Sequence, residues 1–271
     1  MTVYGSFLRR SALRKQFHHM EGLFHLHSDY SFDGKLSLEE LKEECVRRRQ
    51  SFMVVTEHAE DFDEGYLRRY LDHCKRLTDR EFVVIPGLEF RMDGVREVHV
   101  LVVGTEALES ADTPQGVMEK ALSEDGRGLV VLAHPSRNGH YLPEHLARRL
   151  HGIEIWNAAC DSRYLPDCAA ISLFRLLKKR NRNLVGFGGL DLHDRFGFRE
   201  LRLQMRYPCR TEVDLLGHLK AGRFTNRGPC MSIGSMPDWG FAKMLMLNVG
   251  RKLLTAADFL KWQLMSHRKS A

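Results

Sequence analysis

The sequence predicts an α/β fold on a mainly parallel sheet, either closed as a barrel or open. Three observations carry this expectation. Short apolar runs alternate with segments of helical period along most of the chain. Several runs are near-continuous in Val, Ile, Leu and Phe, as strands covered on both faces are. Most runs also end in His, Asp or Glu, and the C-terminal ends of parallel strands are where such folds carry their chemistry.

Residues 22–27 read as the first strand. Ser37 then caps a helix, Glu40 completes a capping box, and Leu38, Leu41, Cys45 and Val46 form one apolar stripe. Runs 52–58, 82–89, 98–104, 129–134, 152–156 and 184–191 read as further strands. Segments 64–78, 113–123, 143–150 and 165–179 read as the helices between them. Run 98–104 follows 82–89 too closely for an intervening helix. Towards the end, 234–240 reads as loop and 254–266 as a closing helix with a basic end at His267, Arg268 and Lys269. The expected organisation is a basic arm at 1–20, one domain at 21–230 and a short C-terminal extension at 231–271.

With 43% hydrophobic and 28% charged residues, 271 residues suffice to bury a core without disulfide staples. Cys45, Cys74, Cys160, Cys168, Cys209 and Cys230 show no CxxC pairing and read as reduced, mostly buried thiols. No apolar run approaches the roughly 20 residues that cross a bilayer. The basic arm lacks the apolar stretch of a secretory signal. With Arg9, Arg10, Arg14 and Lys15 and no acid before Glu21, it reads as a solvated arm ahead of a mitochondrial leader. The expected location is cytoplasmic, with no membrane partner. A net charge of +6 suits an anionic partner such as a phosphorylated substrate. Nucleic acid is the less favoured partner, because Arg47-Arg48-Arg49 and Lys178-Lys179-Arg180 fall on expected helices as solvated faces.

The strands place the ionisable residues. The first carries His25 and His27, whose spacing of two puts both imidazoles on one side. The second ends in Thr56-Glu57-His58 and the third in Pro86-Gly87-Leu88-Glu89. The fourth carries His99 near its start, and the fifth ends in Ala133-His134-Pro135. The last leads into Asp191-Leu192-His193, which repeats the spacing of two. Imidazole and carboxylate suit Zn²⁺, Mn²⁺ and Fe²⁺, and the lack of cysteine at these ends argues against a closed structural zinc site. One histidine at a strand end is usually a satisfied polar residue. Many independent strand ends of the same kind point instead to a polynuclear metal site. His18, His19, His73, His145, His151, His218 and His267 fall elsewhere and read as ordinary, and His140 stays open. Arg137, after His134-Pro135, and Arg163, after run 152–156, stand where a phosphate clamp could lie.

Together with Ser31-Phe32-Asp33-Gly34, this series resembles the PHP superfamily (polymerase and histidinol phosphatase) from about Gly22 to Leu201. The resemblance implies a distorted (β/α)₇ barrel with a trinuclear metal centre. It assigns His25, His27, Glu89 and Asp191 to a first ion, and Asp33, His58 and His193 to a second. Glu89, His99 and His134 fall to a third, with Glu89 bridging. It further implies hydrolysis of a phosphate ester, as a small-molecule phosphatase or phosphodiesterase. Water activated to hydroxide at the cluster attacks phosphorus, and Asp191 and His193 are candidates to protonate the leaving oxygen. A nuclease trimming DNA or RNA ends and a non-catalytic metal-binding module are the alternatives. Two features depart from the family pattern. Glu57-His58 stands where Asp-His is usual, which alters the support around a ligand rather than the ligand itself. His99 and His134 are also too close in sequence for the inserted helical domain of the nucleotide phosphoesterase subgroup.

Overall fold

Every apolar run read as a strand is one. In the computed structural model, which describes residues 20–92, 98–123, 128–135 and 144–269, the first is β1 (Glu21–Leu26). Run 52–58 becomes β2 (Phe52–Val55) and β3 (Glu57–His58), and run 82–89 becomes β4 (Val83–Ile85) and β5 (Gly87–Met92). Then come β6 (Val98–Val103), β7 (Leu129–Leu132), β8 (Gly152–Asn157) and β9 (Val185–Gly189). The helices are α1 (Leu38–Arg47), α2 (Glu64–Leu77), α3 (Thr105–Leu108), α4 (Pro114–Ala121), α5 (Glu144–Arg149) and α6 (Cys168–Lys178). Their starts are chemically marked. Ser37 and Glu40 form the expected capping box on α1, and Asp63, Thr113 and Asp167 cap α2, α4 and α6.

The C-terminal region holds what the sequence did not reveal. Strand β10 (Arg202–Met205), helix α7 (Glu212–Lys220), strands β11 (Phe224–Arg227) and β12 (Ser232–Gly234), and helix α8 (Phe241–Lys269) complete the chain. The closing helix thus begins well before residue 254. Strand β12 pairs with β11, so the expected extension starts inside the sheet.

Among the described residues two six-stranded sheets result, ordered β12-β11-β10-β1-β2-β4 and β3-β5-β6-β7-β8-β9. The runs of β2–β3 and β4–β5 pass from the first sheet into the second at Thr56 and Pro86. Proline has no N–H to continue a ladder, which fits a break there. On the other side the Leu190 N–H donates to the Phe24 carbonyl at 2.9 Å and the His27 N–H to the Leu192 carbonyl at 2.8 Å. The expected mainly parallel sheet is only half so: five of the ten neighbouring pairs are parallel, whereas β10, β11 and β12 join β1 as an antiparallel meander and β6 runs antiparallel to both β5 and β7. That reversal explains His99: the start of β6 lies at the face where parallel strands end.

Alternation divides the side chains between two cores. Leu23, Met53, Val55 and Val84 face a cluster shared with the helices. Phe24, Val54, Val83 and Ile85 face a second cluster, where Phe187 stacks on Phe24 with ring centroids 4.9 Å apart. This aromatic packing lies directly before His25 in the chain and stiffens the floor of the site.

His151 is less ordinary than its sequence suggests. Its Nδ1 accepts the Val130 N–H at 3.1 Å. Burial, with Lys220 nearby, pushes the imidazole down from 6.5 to about 4. A folded value below the unfolded one means that the neutral ring stabilises the fold fully above pH 6.5. That contribution is lost as pH falls through about 4. Between these limits wild type is expected to lose on the order of 3 kcal/mol more unfolding free energy than His151→Gln, as read from denaturant titrations at several pH values. Parallel pH profiles for the two proteins would exclude this role.

Candidate metal centre

Strand ends bring the expected residues to one place by a less regular backbone than a spacing of two implies. The β1–β2 register shifts between Phe24 and Leu26, so His25 sits on a bulge. His25, His134 and Asp191 have φ of 66°, 25° and 53°. These are left-handed conformations, costing on the order of 1–3 kcal/mol each outside glycine. Extended geometry therefore does not persist at either His25-Leu26-His27 or Asp191-Leu192-His193. The imidazoles of His25 and His27 still converge, with ring centroids 5.3 Å apart.

The donor atoms fall into neighbouring groups. His25 Nε2 lies 3.4 Å from Glu89 Oε2 and 3.5 Å from Asp191 Oδ1, and His27 Nε2 lies 3.2 and 3.6 Å from the same two oxygens. Asp33 Oδ2 lies 3.4 Å from His58 Nε2 and 3.2 Å from His193 Nε2. Glu89 Oε1 lies 2.7 Å from His99 Nδ1 and 3.0 Å from His134 Nε2. Atoms bound tetrahedrally at 2.0–2.2 Å from one ion stand roughly 3.3–3.6 Å apart. Several of these separations match that spacing. Two sets of four, His27 with Asp33, His58 and His193, and His25 with Glu89, His134 and Asp191, could each hold a metal ion. His27 Nε2, Asp33 Oδ1, His99 Nε2 and His134 Nδ1 are buried yet make no hydrogen bond. Buried polar atoms are normally satisfied, and His27 Nε2, set among the carboxylate oxygens of Glu89 and Asp191, fits a cation there; His99 Nε2 and His134 Nδ1 are the ring nitrogens that do not face Glu89.

Electrostatics agree. Burial alone would lower the imidazoles of His25 and His27. Glu154, Glu89 and Asp191 outweigh it at His25, and Asp191 and Glu89 raise His27 to about 9. Despite burial, His25 holds both Glu89 and Asp191 well below the usual carboxylate range, helped by His134 and His27. The outer pair, His58 and His193, is lowered by burial and by the charge of His27. The acids of this centre are thus kept ionised by positive charge, the service that a divalent cation also provides.

Supporting residues fix which ring nitrogen points inward. His193 Nδ1 donates to the Asp191 carbonyl at 3.0 Å, turning Nε2 to Asp33. His25 Nδ1 meets Glu154 Oε1 at 2.8 Å, turning Nε2 to Glu89 and Asp191. Glu154 was not singled out from the sequence. It is fully buried, and its other oxygen accepts the His134 N–H at 2.8 Å and the Asn157 side-chain N–H at 2.9 Å. A side chain on Gly189 would overlap Glu154 Oε1, so that glycine makes room for it. The available signal was an acid inside the otherwise apolar strand Gly152–Asn157. Glu57 is no ligand. It is buried and accepts from the Ser28 hydroxyl, the Ser28 N–H at 3.0 Å and the Ser31 hydroxyl at 2.5 Å. It thereby ties down the loop that carries Asp33, and burial pushes its carboxyl up.

A cavity of about 500 Å³ opens beside Asp191 and His193, lined also by Cys160, Asp161, Asp167 and Arg251. Cys160 Sγ approaches Asp191 Oδ2 at 3.3 Å, although no cysteine lies at a strand end. Arg163 is exposed and sits over the Tyr164 ring, 5.0 Å from its centroid. Among the described residues, the arginine on the cavity wall is therefore Arg251 and not Arg163. Arg137 and His140 lie outside the described residues.

Buried imidazoles and carboxylates that converge in this way could hold metal ions, as the centres of many hydrolases do. Residues 24–156, just under half of the chain, match the model of the PHP domain. The match stops short of Asp191 and His193, which the fold brings to His25 and Asp33. The chain is also similar to the structure of an amidohydrolase from Chromobacterium violaceum with bound sulfate and no metal. The identity is 17%, over 64% of this chain and 87% of that one, with a TM-score of 0.40. No curated protein matches the chain.

Proposed function

We propose that this protein is a phosphoesterase that uses three divalent ions, hydrolysing a small phosphate monoester or diester. The observation that carries this reading is the convergence of His25, His27, His58, His99 and His134 on Glu89, with Asp191 beside His25 and His27 and Asp33 beside His58 and His193. His25, His27, Glu89 and Asp191 would hold one ion, Asp33, His58 and His193 a second, and Glu89, His99 and His134 a third. The continuity of both sheets through Thr56, Pro86 and the Phe24–Leu190 contact supports the distorted (β/α)₇ barrel that this family implies. When bound, the ions would activate water near neutral pH and offset charge on the phosphoryl oxygens; Zn²⁺, Mn²⁺ and Fe²⁺ all suit the donors.

The chain's own groups do the rest. Asp191 stays ionised and acts as ligand and acceptor. The expected proton donor His193 serves in this reading as a ligand instead: Nε2 would face the ion and Nδ1 donates to the Asp191 carbonyl, so the leaving oxygen takes its proton from water in the cavity. Arg251 brings positive charge to the cavity wall, held there by the Pro166 carbonyl at 2.7 Å and Asp167 at 3.2 Å. In this reading it takes the place expected for Arg163, and Arg137 remains a second candidate clamp. Protein loaded with Mn²⁺ or Zn²⁺ should turn over p-nitrophenyl phosphate or its diester. It should leave a labelled oligonucleotide intact. Cleavage of the oligonucleotide alone would make it a nuclease. Metal binding without either activity would make it a non-catalytic module.

A further inference from the structure

The apolar residues left on the surface are concentrated. Of the twelve large hydrophobic side chains exposed among the described residues, six fall between Met236 and Leu253. A seventh, Leu176, lies on α6, to which α8 is joined by Cys168 Sγ against the Met244 carbonyl. Phe241, Leu245, Val249 and Leu253 recur every fourth residue and are 82%, 51%, 50% and 65% exposed. At 100° per residue they follow one side of α8, with Met246 beside them. The opposite side already packs on the body through Met244, Leu247 and Leu254. A helix apolar on two sides is normally buried on both.

We infer that this outward face of α8 pairs with the same face of a second copy of the chain, as an antiparallel helix pair about a two-fold axis near Leu245. Two observations select that occupant. The first is size. The five side chains on this face, Phe241, Leu245, Met246, Val249 and Leu253, make a patch on the order of 500 Å², at the upper end of what a monomer carries and the size of a small interface. The second is charge. Residues 241–257 contain no acid, and Lys252 is exposed within the apolar arc. Asp238 is exposed just ahead of the helix. An antiparallel pair centred on Leu245 sets Leu245 against itself and Phe241 against Val249. It also carries Lys252 towards Asp238 of the other copy. The contact is self-complementary and closes at two chains. The inference stands apart from the proposed function, but it bears on the site, because Arg251 on the inner side of α8 lines the cavity.

Light scattering on the full chain in solution tests this directly. The expected mass is twice 31.3 kDa. Leu245→Glu, which sets two carboxylates on the axis, should give a monomer with unchanged circular dichroism. In a Cys230→Ser background, Leu245→Cys should cross-link to itself on oxidation and Phe241→Cys should not. A monomeric wild type, or a dimer indifferent to Leu245→Glu, would overturn the proposal. So would a monomer that sediments with phosphatidylserine vesicles, which would assign the face to a lipid surface.

Discussion

Glu89→Gln is expected to lose metal and turnover together. Both oxygens of Glu89 are engaged: Oε2 faces His25, His27 and His58, and Oε1 faces His99 and His134. The substitution keeps the shape and removes one negative charge from the middle of five imidazoles. More than one ion should therefore weaken, and turnover should fall by about 100-fold or more. His193→Ala removes a donor that faces only Asp33 and Asp191, so its metal loss should be confined to one equivalent. His73→Ala is the control. His73 bonds Tyr30 and Glu39 on the helix side, and its loss should cost no metal and about 1 kcal/mol of stability at most. Elemental analysis and phosphatase assays on the three proteins, each checked for folding, read the outcome. Full metal and full turnover in Glu89→Gln would end the trinuclear assignment.

Glu154→Gln is expected to produce the second largest effect without removing any ligand. The carboxylate orients His25 through Nδ1 and holds the His134 backbone, so it acts on two ligands at once. An amide can still accept from the His134 N–H, but it no longer offsets charge on His25. Metal affinity should drop by roughly 10–100-fold, the range seen when outer partners of metal-binding histidines are changed. High metal concentration should restore turnover, which distinguishes this variant from Glu89→Gln. Unchanged affinity would show that His25 is oriented by packing alone. Gly189→Ala should mimic the loss, because the added methyl must displace Glu154.

The residues of the candidate centre were legible because chemistry at strand ends shows through a single sequence. His25, His58, Glu89, His134 and Asp191 each break an apolar run at its end, and a side chain that interrupts a buried strand needs a reason. His99 was legible as a residue but not as a position, since the antiparallel course of β6 is a property of pairing. Glu154 was missed because the run around it reads as core, and a buried acid leaves no periodicity. The exact path through His25 and Asp191 was also out of reach: a bulge and left-handed φ are set by contacts between strands far apart in sequence. Strands β10 to β12 are short and half polar, as antiparallel strands with one wet face are, so they lack the continuous apolar signal of the buried strands. Residues 241–253, the start of α8, carry no assignment from the sequence because their apolar residues run around both sides and blur a single stripe.

The left-handed backbone at His25, His134 and Asp191 bears on how this domain can change over generations. At such positions glycine or asparagine would relieve local strain, and so would stabilise the fold while removing a donor. Random drift in a copy freed from its chemistry would tend to find those replacements early, since they help folding and harm nothing else. A lineage that keeps imidazole or carboxylate at all three is held there by the reaction against the preference of the backbone. The same reasoning makes these three positions the first places to inspect in any relative suspected of having kept the scaffold and given up catalysis.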